Sequence, residues 1–334
     1  MLIHLPRLNE PYLDQPVDTF TMHASTDRVG MHQITDSPEQ ADVILFTQCH
    51  MLGTDWRLTR ITHHPLRQAF PDKVMVYNEF DRPWCALPGV YVSMPGRHFV
   101  AAHQRPWAYF APQPLVTVNE TPDLLFSFVA SNTTACRRPL FALKHPQAIV
   151  EEVQRFRFWD PTSEGFDERR ARFKAVLARS RFVLCPRGNA TSSVRLYETL
   201  AAGAVPVIIA DEWVPPVGPE WEAFSIRWPE GRVDGLIEML EARDAEWSPM
   251  SARARRAYED YFSPDVYFHQ VAERCRELLQ AGSLERFPAR GVIDRWYAEL
   301  AVDSARARVR HAPAALRKRV TRIVRRGATD AQRT

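Results

Sequence analysis

Residues that could do chemistry concentrate in one stretch of the chain, 181–213, with the sequence RFVLCPRGNATSSVRLYETLAAGAVPVIIADEW. Arginine, serine and glutamate side chains stand there between two apolar runs. The first run predicts a buried strand that ends at Pro186, because proline has no N–H to donate to a sheet. Gly188 follows this strand, and a residue without a side chain lets a ligand approach the backbone.

Ser192 and Ser193 are favourable N-cap residues for a helix that we expect to end near Gly203. A helix N-terminus that follows a strand offers free N–H groups and the positive end of the helix dipole to an anion, typically a phosphate. Arg187 and Arg195 flank this N-terminus. Their guanidinium groups suit paired contacts with phosphate oxygens.

Glu198 adds a carboxylate about two turns into the predicted helix. It could accept hydrogen bonds from the paired hydroxyls of a ribose, as an acidic residue does in dinucleotide sites. The chain has neither a Walker Gly-Lys-Ser/Thr pattern nor Gly-x-Gly-x-x-Gly in this stretch, which excludes the two commonest phosphate loops. On spacing alone, two interpretations stay open: a nucleotide site of another kind, or an ordinary strand–helix–strand unit with a cap and surface arginines.

The elements that must position these residues form two successive α/β series. Apolar runs at 43–47, 73–78 and 90–94 predict buried strands of a parallel sheet, and a helix between the first two is interrupted at Pro65. A proline-rich linker follows. The second series has predicted strands at 124–130, 181–186, 204–210 and 223–228, helices at 166–180, 193–203, 233–243 and 251–280, and a helix or helix-to-strand passage at 146–156.

Two such series predict an α/β fold of two Rossmann-like domains that face a cleft. Ligands of such sheets bind at the carboxyl ends of the strands, so the loops that follow the strands should line the cleft. We place the first domain at 1–120 and the second at 121–282. The remainder, 283–334, is predicted to hold C-terminal helices and a basic amphipathic tail.

The segment 180–216 closely resembles the signature of the exostosin family of glycosyltransferases. The residues that match it are Phe182, Pro186, Arg187, Gly188, Ser193, Arg195, Glu198, Pro206, Val207, Asp211 and Pro215. The similarity is strong over about 165–245 and extends weakly to 124–145, where Arg137 and Arg138 fit an arginine that the family carries after a strand.

The resemblance implies a GT-B arrangement, in which the N-terminal domain faces the acceptor and the C-terminal domain holds most of a nucleotide-sugar donor. It also implies a metal-independent, inverting transfer without a cofactor, to a glycan or lipid-linked glycan acceptor. The same resemblance implies that Glu198 binds the ribose and that arginines bind the diphosphate. The complete predicted donor site is Arg137, Arg138, Arg187, Gly188, Ser192, Ser193, Arg195, Glu198 and Asp211.

The base that inverting transfer requires should come from the N-terminal half, across the cleft. Predicted strand ends there place three candidates for a catalytic role: His50, Glu79 and Asp81. The ordinary pKa of histidine suits a base at neutral pH. A structural role for His50, with its hydrogen bonds satisfied at the end of a strand, is an equal alternative. Glu79 and Asp81 could equally be loop caps or acceptor contacts. The chain lacks the Asp-x-Asp pattern of metal-dependent transferases, so we predict no metal site.

Composition narrows the class of protein further. Five dispersed cysteines indicate reduced thiols and not a disulfide framework. The sequence shows no signal peptide and no apolar run of about 18 residues. These features favour a cytoplasmic bacterial enzyme of surface-glycan synthesis over the membrane-anchored eukaryotic members of the family.

The net charge of +3 is unevenly distributed. Residues 303–334 hold ten Lys and Arg against two Asp, a net +8, which leaves −5 for the rest of the chain. The body is therefore not that of a nucleic-acid-binding protein. Within the tail, 303–326 has an apolar face with arginines around it, a pattern typical of a helix on an anionic membrane surface. A solvated basic tail is an equal alternative.

Two other functions compete with sugar transfer. A non-catalytic glycan- or nucleotide-binding protein could keep the same fold, but it would have no physical need for the intact set of Arg187, Arg195 and Glu198. A Rossmann oxidoreductase would need the glycine fingerprint, which the chain lacks.

Overall fold

Two parallel β-sheets organise the computed structural model, which describes residues 1–53, 55–110, 116–153, 165–284, 287 and 294–302. The first sheet has the strand order β2-β1-β3-β4-β5-β6. Its strands are β1 (Leu2–His4), β2 (Gln33–Ile34), β3 (Val43–Phe46), β4 (Val74–Asn78), β5 (Gly89–Tyr91) and β6 (Gln104–Pro106). Every residue of β3, β4 and β5 is buried, as expected for apolar strands covered on both faces.

The second sheet has the order β11-β10-β9-β7-β8. Its strands are β7 (Leu124–Ala130), β8 (Ala148–Glu152), β9 (Ser180–Pro186), β10 (Val205–Ile209) and β11 (Ile226–Arg227). All residues of β7 and β10 are buried. In the parallel register of β9 with β10, Leu184 lies opposite Val207, and the apolar runs of the two strands pack side by side.

Both sheets start with the strand order 2-1-3-4-5 of a doubly wound fold. In this order the direction of winding reverses beside the first strand, and the crevice at the carboxyl ends next to that point binds ligands. The reversal lies between β1 and β3 in the first sheet and between β7 and β9 in the second. The predicted α/β fold with two Rossmann-like sheets is confirmed.

Eight α-helices lie among the described residues of 1–287. They are α1 (Gln15–Ser25), α2 (Thr59–Thr62), α3 (Pro65–Ala69), α4 (Phe166–Ala178), α5 (Val194–Ala202), α6 (Leu236–Ala242), α7 (Trp247–Ala257) and α8 (Pro264–Gln280). The break at Pro65 occurs as predicted, since α2 ends at Thr62 and α3 begins at the proline. A π-helical turn at Tyr258–Phe262 divides the long helical segment predicted over 251–280.

The structure differs from the sequence-based expectations in the shortest and most polar elements. The segment 146–156 contains strand β8 and no helix among its described residues. Its residues are mostly half-buried, because β8 is an edge strand paired only with β7. The elements β1, α1, β2 and β6 were not predicted, since two to three residues of strand, or a helix with few apolar positions, leave little periodicity to detect.

Helix α8 joins the two halves of the chain. It follows the second sheet in sequence, yet it packs against α1, β5 and β6 of the first. At its start, His23 Nδ1 donates to the carbonyl of Pro264 (3.0 Å), and the N–H of Arg28 donates to the carbonyl of Asp265 (2.8 Å). A single apolar cluster also contains Tyr77 of the first sheet with residues of α5 and α8.

The carboxyl ends of the two sheets meet through their loops. Thr191, in the loop after β9, donates from Oγ1 to the carbonyl of Ser93 (2.9 Å), just after β5. The carbonyl of Glu212, after β10, accepts from the N–H of Gly96 (2.9 Å), and its carboxylate accepts from the N–H of Arg97 (2.9 Å). Loops after strands of both sheets therefore border one region, as the fold predicts.

Residues 1–287 form one compact unit, and 288–334 form a second, in which the structure describes a helix at 294–302. The boundary predicted at residue 120 falls between β6 and β7 and stays a prediction. The amphipathic helix predicted at 303–326 lies outside the described residues. Among the helices that are described, none combines the length and apolar character needed to cross a bilayer.

Candidate functional site

The loop between β9 and α5 forms the centre of the site. Beyond Pro186, the N–H of Arg187 still donates to the carbonyl of Ile209 (3.0 Å), which fixes the start of the loop against β10. Ser193 is the N-cap residue of α5, with φ −145° and ψ 131°, and its side chain makes no capping hydrogen bond. The helix ends at Gly203, whose φ of +81° favours glycine. The predicted bounds of this helix are confirmed, and its first N–H groups have no side-chain cap.

A small, partly open recess lies beside the N-terminus of α5. It brings together three residues of the predicted donor site, namely Arg187, Ser192 and Ser193. The rest of its lining is Cys185, Thr191, Leu196, Ile208, Ala210 and Trp213. The recess therefore combines an apolar floor with a cation and a helix N-terminus.

Two buried polar atoms in the lining of this recess have no hydrogen-bond partner: Ser192 Oγ and Trp213 Nε1. Both lie near the Tyr197 hydroxyl without the geometry of a hydrogen bond. An unsatisfied buried polar group costs about 1–3 kcal/mol. A ligand that carries acceptor oxygens into the recess would satisfy both donors.

Arg137 reaches the same region from the loop after β7, at the point where the winding of the second sheet reverses. Its guanidinium donates to the carbonyls of Ser131 (3.0 Å), Pro186 (3.2 Å) and Arg187 (2.9 Å). Burial and the nearby Arg195 cation lower the pKa of Arg137 to about 10. Arg137 is thus a fixed, partly desolvated cation behind the loop, in a cluster with the cations of Arg187 and Arg195.

Arg187 is the arginine of this cluster that lines the recess, and it is held by an ion pair. Its Nε lies 2.8 Å from both carboxylate oxygens of Glu230, which follows β11. Burial lowers the pKa of Arg187, but the Glu230 carboxylate outweighs this effect and leaves it raised. Glu230 also accepts from the N–H of Asp211 (3.1 Å), and the Asp211 carboxylate accepts from the N–H of Glu230 (3.1 Å).

Arg195 and Glu198 lie on α5 but do not line the recess. The Arg195 guanidinium donates to the carbonyl of Val129, stands over the rings of Phe128 (5.9 Å) and Phe173 (5.5 Å), and leaves its buried Nε without a partner. Burial raises the pKa of Glu198, and the Arg195 cation opposes this effect. The two residues therefore form a neighbouring, partly unsatisfied polar pair, and their roles stay predictions.

The other members of the predicted donor site differ in placement. The carbonyl of Gly188 accepts from Arg187 Nη1 (3.1 Å), so the glycine belongs to the same loop cluster. Asp211 is exposed and positions Glu230, as described above. Arg138 is exposed at the start of the short 3₁₀ helix Arg138–Ala142. Of the two arginines, Arg137 is the one that the structure brings to the cluster.

A second cluster lies at the carboxyl end of β4 in the first sheet, around Glu79. Its Oε1 accepts from the N–H of Phe110 (2.6 Å) and from the hydroxyl of Tyr77 (2.9 Å). The Tyr77 hydroxyl in turn lies 2.5 Å from that of Tyr267 on α8. Burial raises the pKa of Glu79 to about 7, against the lowering effect of these two donors.

His50 lies on the other side of the Glu79 carboxylate. Its Nδ1 is 3.4 Å from Glu79 Oε2 without the geometry of a hydrogen bond. Burial lowers the pKa of His50 to about 4, so the imidazole is neutral near pH 7. Of these two predicted candidates for the base, Glu79 is the one whose carboxyl group changes its charge near neutral pH, because its pKa is about 7.

Asp81 is the third candidate and the one nearest to the donor loop. Its pKa is raised by desolvation, and a hydrogen bond with Asn189, in the loop between β9 and α5, opposes this shift. The residue itself stays more than a third exposed. The structure therefore places His50 with Glu79 in one cluster and Asp81 beside the second sheet.

Four residues of these clusters were missed in the sequence: Glu230, Trp213, Tyr77 and Tyr267. Glu230 carried a usable signal, because it follows a predicted strand whose carboxyl end should border the cleft. Tyr77 occupies a strand position that predicts a core residue, and Tyr267 lies 190 residues away in the chain. No local pattern connects these two tyrosines.

Comparison with known proteins finds similarity in the part of the chain that holds this site. Residues 99–242 match the exostosin GT47 domain. The chain is 33% identical over 92 residues to the Exostosin-1 homolog of Caenorhabditis elegans, covering 27% of this chain and 24% of that protein. It is 36% identical over 101 residues to a probable glucuronoxylan glucuronosyltransferase of Arabidopsis thaliana, covering 30% of this chain and 21% of that protein.

The chain spans about a quarter or less of the length of the curated relatives that it matches. Among solved structures, the crystal structure of Anabaena Alr3699/HepE in complex with UDP is similar, with 9% identity and a TM-score of 0.37, over 83% of this chain and 99% of that one. The loop from β9 to α5, with Arg187, Ser192 and Ser193, lies inside the matched segment 99–242. The resemblance found in the motif is confirmed, since residues 99–242 of this chain are similar to the exostosin GT47 domain.

Proposed function

We propose that this protein is a glycosyltransferase that moves a sugar from a nucleotide-sugar donor to a glycan acceptor. The observation that carries the proposal is the recess beside α5, where Arg187, the uncapped helix N-terminus and the unpaired Ser192 hydroxyl converge. This combination suits a diphosphate, because each group supplies positive charge or a hydrogen-bond donor to phosphate oxygens.

Residues proposed to act on the diphosphate are already fixed by contacts with the rest of the protein. Three backbone carbonyls fix Arg137, so it needs no reorganisation when charge develops on the leaving group. Arg187 exchanges its ion pair with Glu230 for the phosphate oxygens. Glu198, carried over from the family pattern, accepts the ribose hydroxyls. Since the arginines and the helix N-terminus supply the positive charge, the transfer proceeds without a metal ion.

For the chemical step, Glu79 acts as the base of an inverting displacement. Its carboxylate takes the proton of the acceptor hydroxyl, the hydroxyl oxygen bonds to the anomeric carbon, and the bond from that carbon to the diphosphate breaks. The nucleoside diphosphate leaves with the electron pair, and the cation cluster stabilises it. The Tyr77 hydroxyl and the Phe110 N–H position the Glu79 carboxylate, and neutral His50 lies beside it. Asp81, beside the donor loop, is the second candidate for the base.

The acceptor is proposed to be a growing surface polysaccharide, free or lipid-linked. Residues 99–242 match the exostosin GT47 domain, and two of the matched plant relatives are described as probable glucuronoxylan glucuronosyltransferases. A polymeric acceptor is consistent with both descriptions.

A ligand screen followed by a donor-hydrolysis assay tests this proposal. We expect one or more UDP-, GDP-, CMP- or dTDP-sugars to raise the melting temperature and to be hydrolysed slowly in the absence of acceptor. Arg187→Gln should abolish the thermal shift. Arg181→Gln is the matched control, because Arg181 forms a similar ion pair with Asp244 at the opposite end of β9.

Two results would contradict the proposal. If no nucleotide sugar stabilises the protein, or if Arg187→Gln and Arg181→Gln lose the shift equally, the recess is not the donor site. If donors bind but are neither hydrolysed nor transferred to any glycan tested, a non-catalytic binding protein with the same fold replaces the enzyme.

A further inference from the structure

Three side chains that commonly bind transition metals converge where α8 meets the edge of the first sheet. They are His32, just before β2, and His269 and Glu273 on α8. One nitrogen of each histidine and one oxygen of the glutamate all lie within 4.8 Å of one another. His32 Nε2 is 2.8 Å from Glu273 Oε1, and the two imidazole rings have their centroids 5.2 Å apart.

The positions of these side chains are fixed by the fold. His269 and Glu273 are four residues apart on one helix, which places them on the same face, one turn from each other. His32 is almost fully buried, with 2% of its side chain exposed, and 14% of the Glu273 side chain is exposed. Bringing the ligand atoms together around one ion therefore requires small rotations of the side chains and no change of the backbone.

An independent observation indicates that this cluster is incomplete without a ligand. His32 Nδ1 and His269 Nδ1 are buried nitrogen atoms that have no hydrogen-bond partner. Among the described histidines, His23 and His103 bond backbone carbonyls through Nδ1. Two neighbouring imidazoles with free buried nitrogens are unusual, because unsatisfied buried polar atoms cost folding free energy.

Two positively charged groups lie near this cluster and oppose the binding of a cation. Arg276 forms an ion pair with Glu273 through Nε (3.0 Å) and Nη2. Its side chain is 44% exposed, so it can turn toward solvent when a cation takes the carboxylate. The amino group of Met1 donates to the carbonyl of Met31 (3.4 Å), next to His32. An ion bound here must gain enough from its ligands to offset these two charges.

We propose that His32, His269 and Glu273 bind a Zn²⁺ ion, with water as the fourth ligand. Two imidazole nitrogens and one carboxylate oxygen suit zinc in tetrahedral coordination, and they do not suit Ca²⁺ or Mg²⁺, which prefer oxygen ligands. The ion fastens α8, which comes from the C-terminal half of the chain, to the edge of the first sheet. None of the three residues lines the recess beside α5, so the ion lies apart from the proposed donor site and leaves the proposed metal-independent transfer unchanged.

The test uses the full chain, freed of metal with a chelator and titrated with Zn²⁺ alone. We expect one equivalent to bind, the melting temperature to rise with Zn²⁺, and Co²⁺ substituted for it to give the visible absorption of a tetrahedral ion. His269→Ala and Glu273→Gln should each weaken Zn²⁺ binding at least tenfold, since loss of even an outer partner of a metal ligand costs about 10–100-fold.

The matched control is His145→Ala. His145 also pairs with a glutamate, with Nε2 3.2 Å from Glu241 Oε1, but among the described residues no second histidine joins that pair. This variant should bind Zn²⁺ as the unchanged protein does. The melting temperature without metal shows whether each variant is folded. If His269→Ala is not folded, Glu273→Gln provides the comparison, because glutamine has nearly the same shape as glutamate. The proposal is overturned if the unchanged protein binds no Zn²⁺ equivalent, or if either folded variant binds it as tightly as the control does.

Discussion

Replacing Glu79 with glutamine should lower the activity of the enzyme and, above pH 7, raise the stability of the fold. The change keeps the shape of the side chain, and the amide oxygen can still accept from the Phe110 N–H and the Tyr77 hydroxyl, which now hold the carboxylate. Glutamine has no carboxylate, however, so it cannot take the proton of the acceptor hydroxyl. For a general base, we expect turnover to fall by about 10²–10⁴-fold.

The effect on stability follows from the raised pKa of Glu79. A shift from the ordinary 4.5 to about 7 corresponds to a free-energy difference on the order of 3 kcal/mol between the two protonation states. The folded protein binds the proton more tightly than the unfolded chain does. The stabilisation is therefore complete below pH 4.5 and is lost as the pH rises to about 7. Glutamine cannot ionise, so Glu79→Gln should be more stable than the unchanged protein above pH 7, by up to about 3 kcal/mol.

Two assays check this prediction. Urea unfolding at pH 5 and pH 8 gives the free energy of unfolding, and release of nucleoside diphosphate from the donor identified in the screen gives the rate. The unchanged enzyme should gain rate with pH up to about 7 and then level off. Glu246→Gln serves as control, because Glu246 forms an exposed pair with Arg243. Normal turnover in Glu79→Gln would refute the base assignment, and an unchanged pH dependence of stability would refute the reasoning from burial.

Three further predictions concern the donor site and the tail. Glu230→Gln should tighten donor binding about 3- to 10-fold, measured by fluorescence titration, because its carboxylate competes for Arg187; weaker binding would mean that Glu230 contacts the donor. Ser192→Ala should leave the free energy of unfolding unchanged or raise it by about 1 kcal/mol, since it removes an unsatisfied hydroxyl, while donor binding weakens; a large loss of stability would contradict this. Deleting 303–334 should abolish sedimentation with anionic vesicles but not with neutral ones, and failure of the full chain to sediment would exclude a membrane role for the tail.

The sequence was sufficient for the strands and helices with strong periodicity. The runs that became β3, β4, β7, β9 and β10 are apolar throughout most of their length, and a strand buried on both faces leaves that pattern in any chain. The helix from 194 to 202 was predictable because serine precedes it and glycine follows it. The strands β2 and β6 have only two or three residues. Such short strands form because they pair with neighbouring strands, and the local sequence has no pattern that predicts them.

The candidate site was predictable to the extent that its residues are close together in the chain. Arg187, Ser192 and Ser193 lie within seven residues and line one recess. The partners that set their charges come from distant segments: Glu230 neutralises Arg187 from beyond β11. Spacing also could not show that the Ser193 side chain leaves the helix uncapped, because capping depends on a rotamer and not on residue type.

The cluster around Glu79 depends on both halves of the chain, and this bears on the predicted boundary at residue 120. Tyr77 bonds Glu79 and also the hydroxyl of Tyr267 on α8. The same helix packs on β5 and β6, which belong to the predicted N-terminal domain. A fragment of residues 1–120 would expose this packing face, including Trp107, which is fully buried in the whole chain. We therefore expect the fragment alone to be unfolded or aggregated, and the raised pKa of Glu79 to exist only when α8 is present, because burial is its main cause.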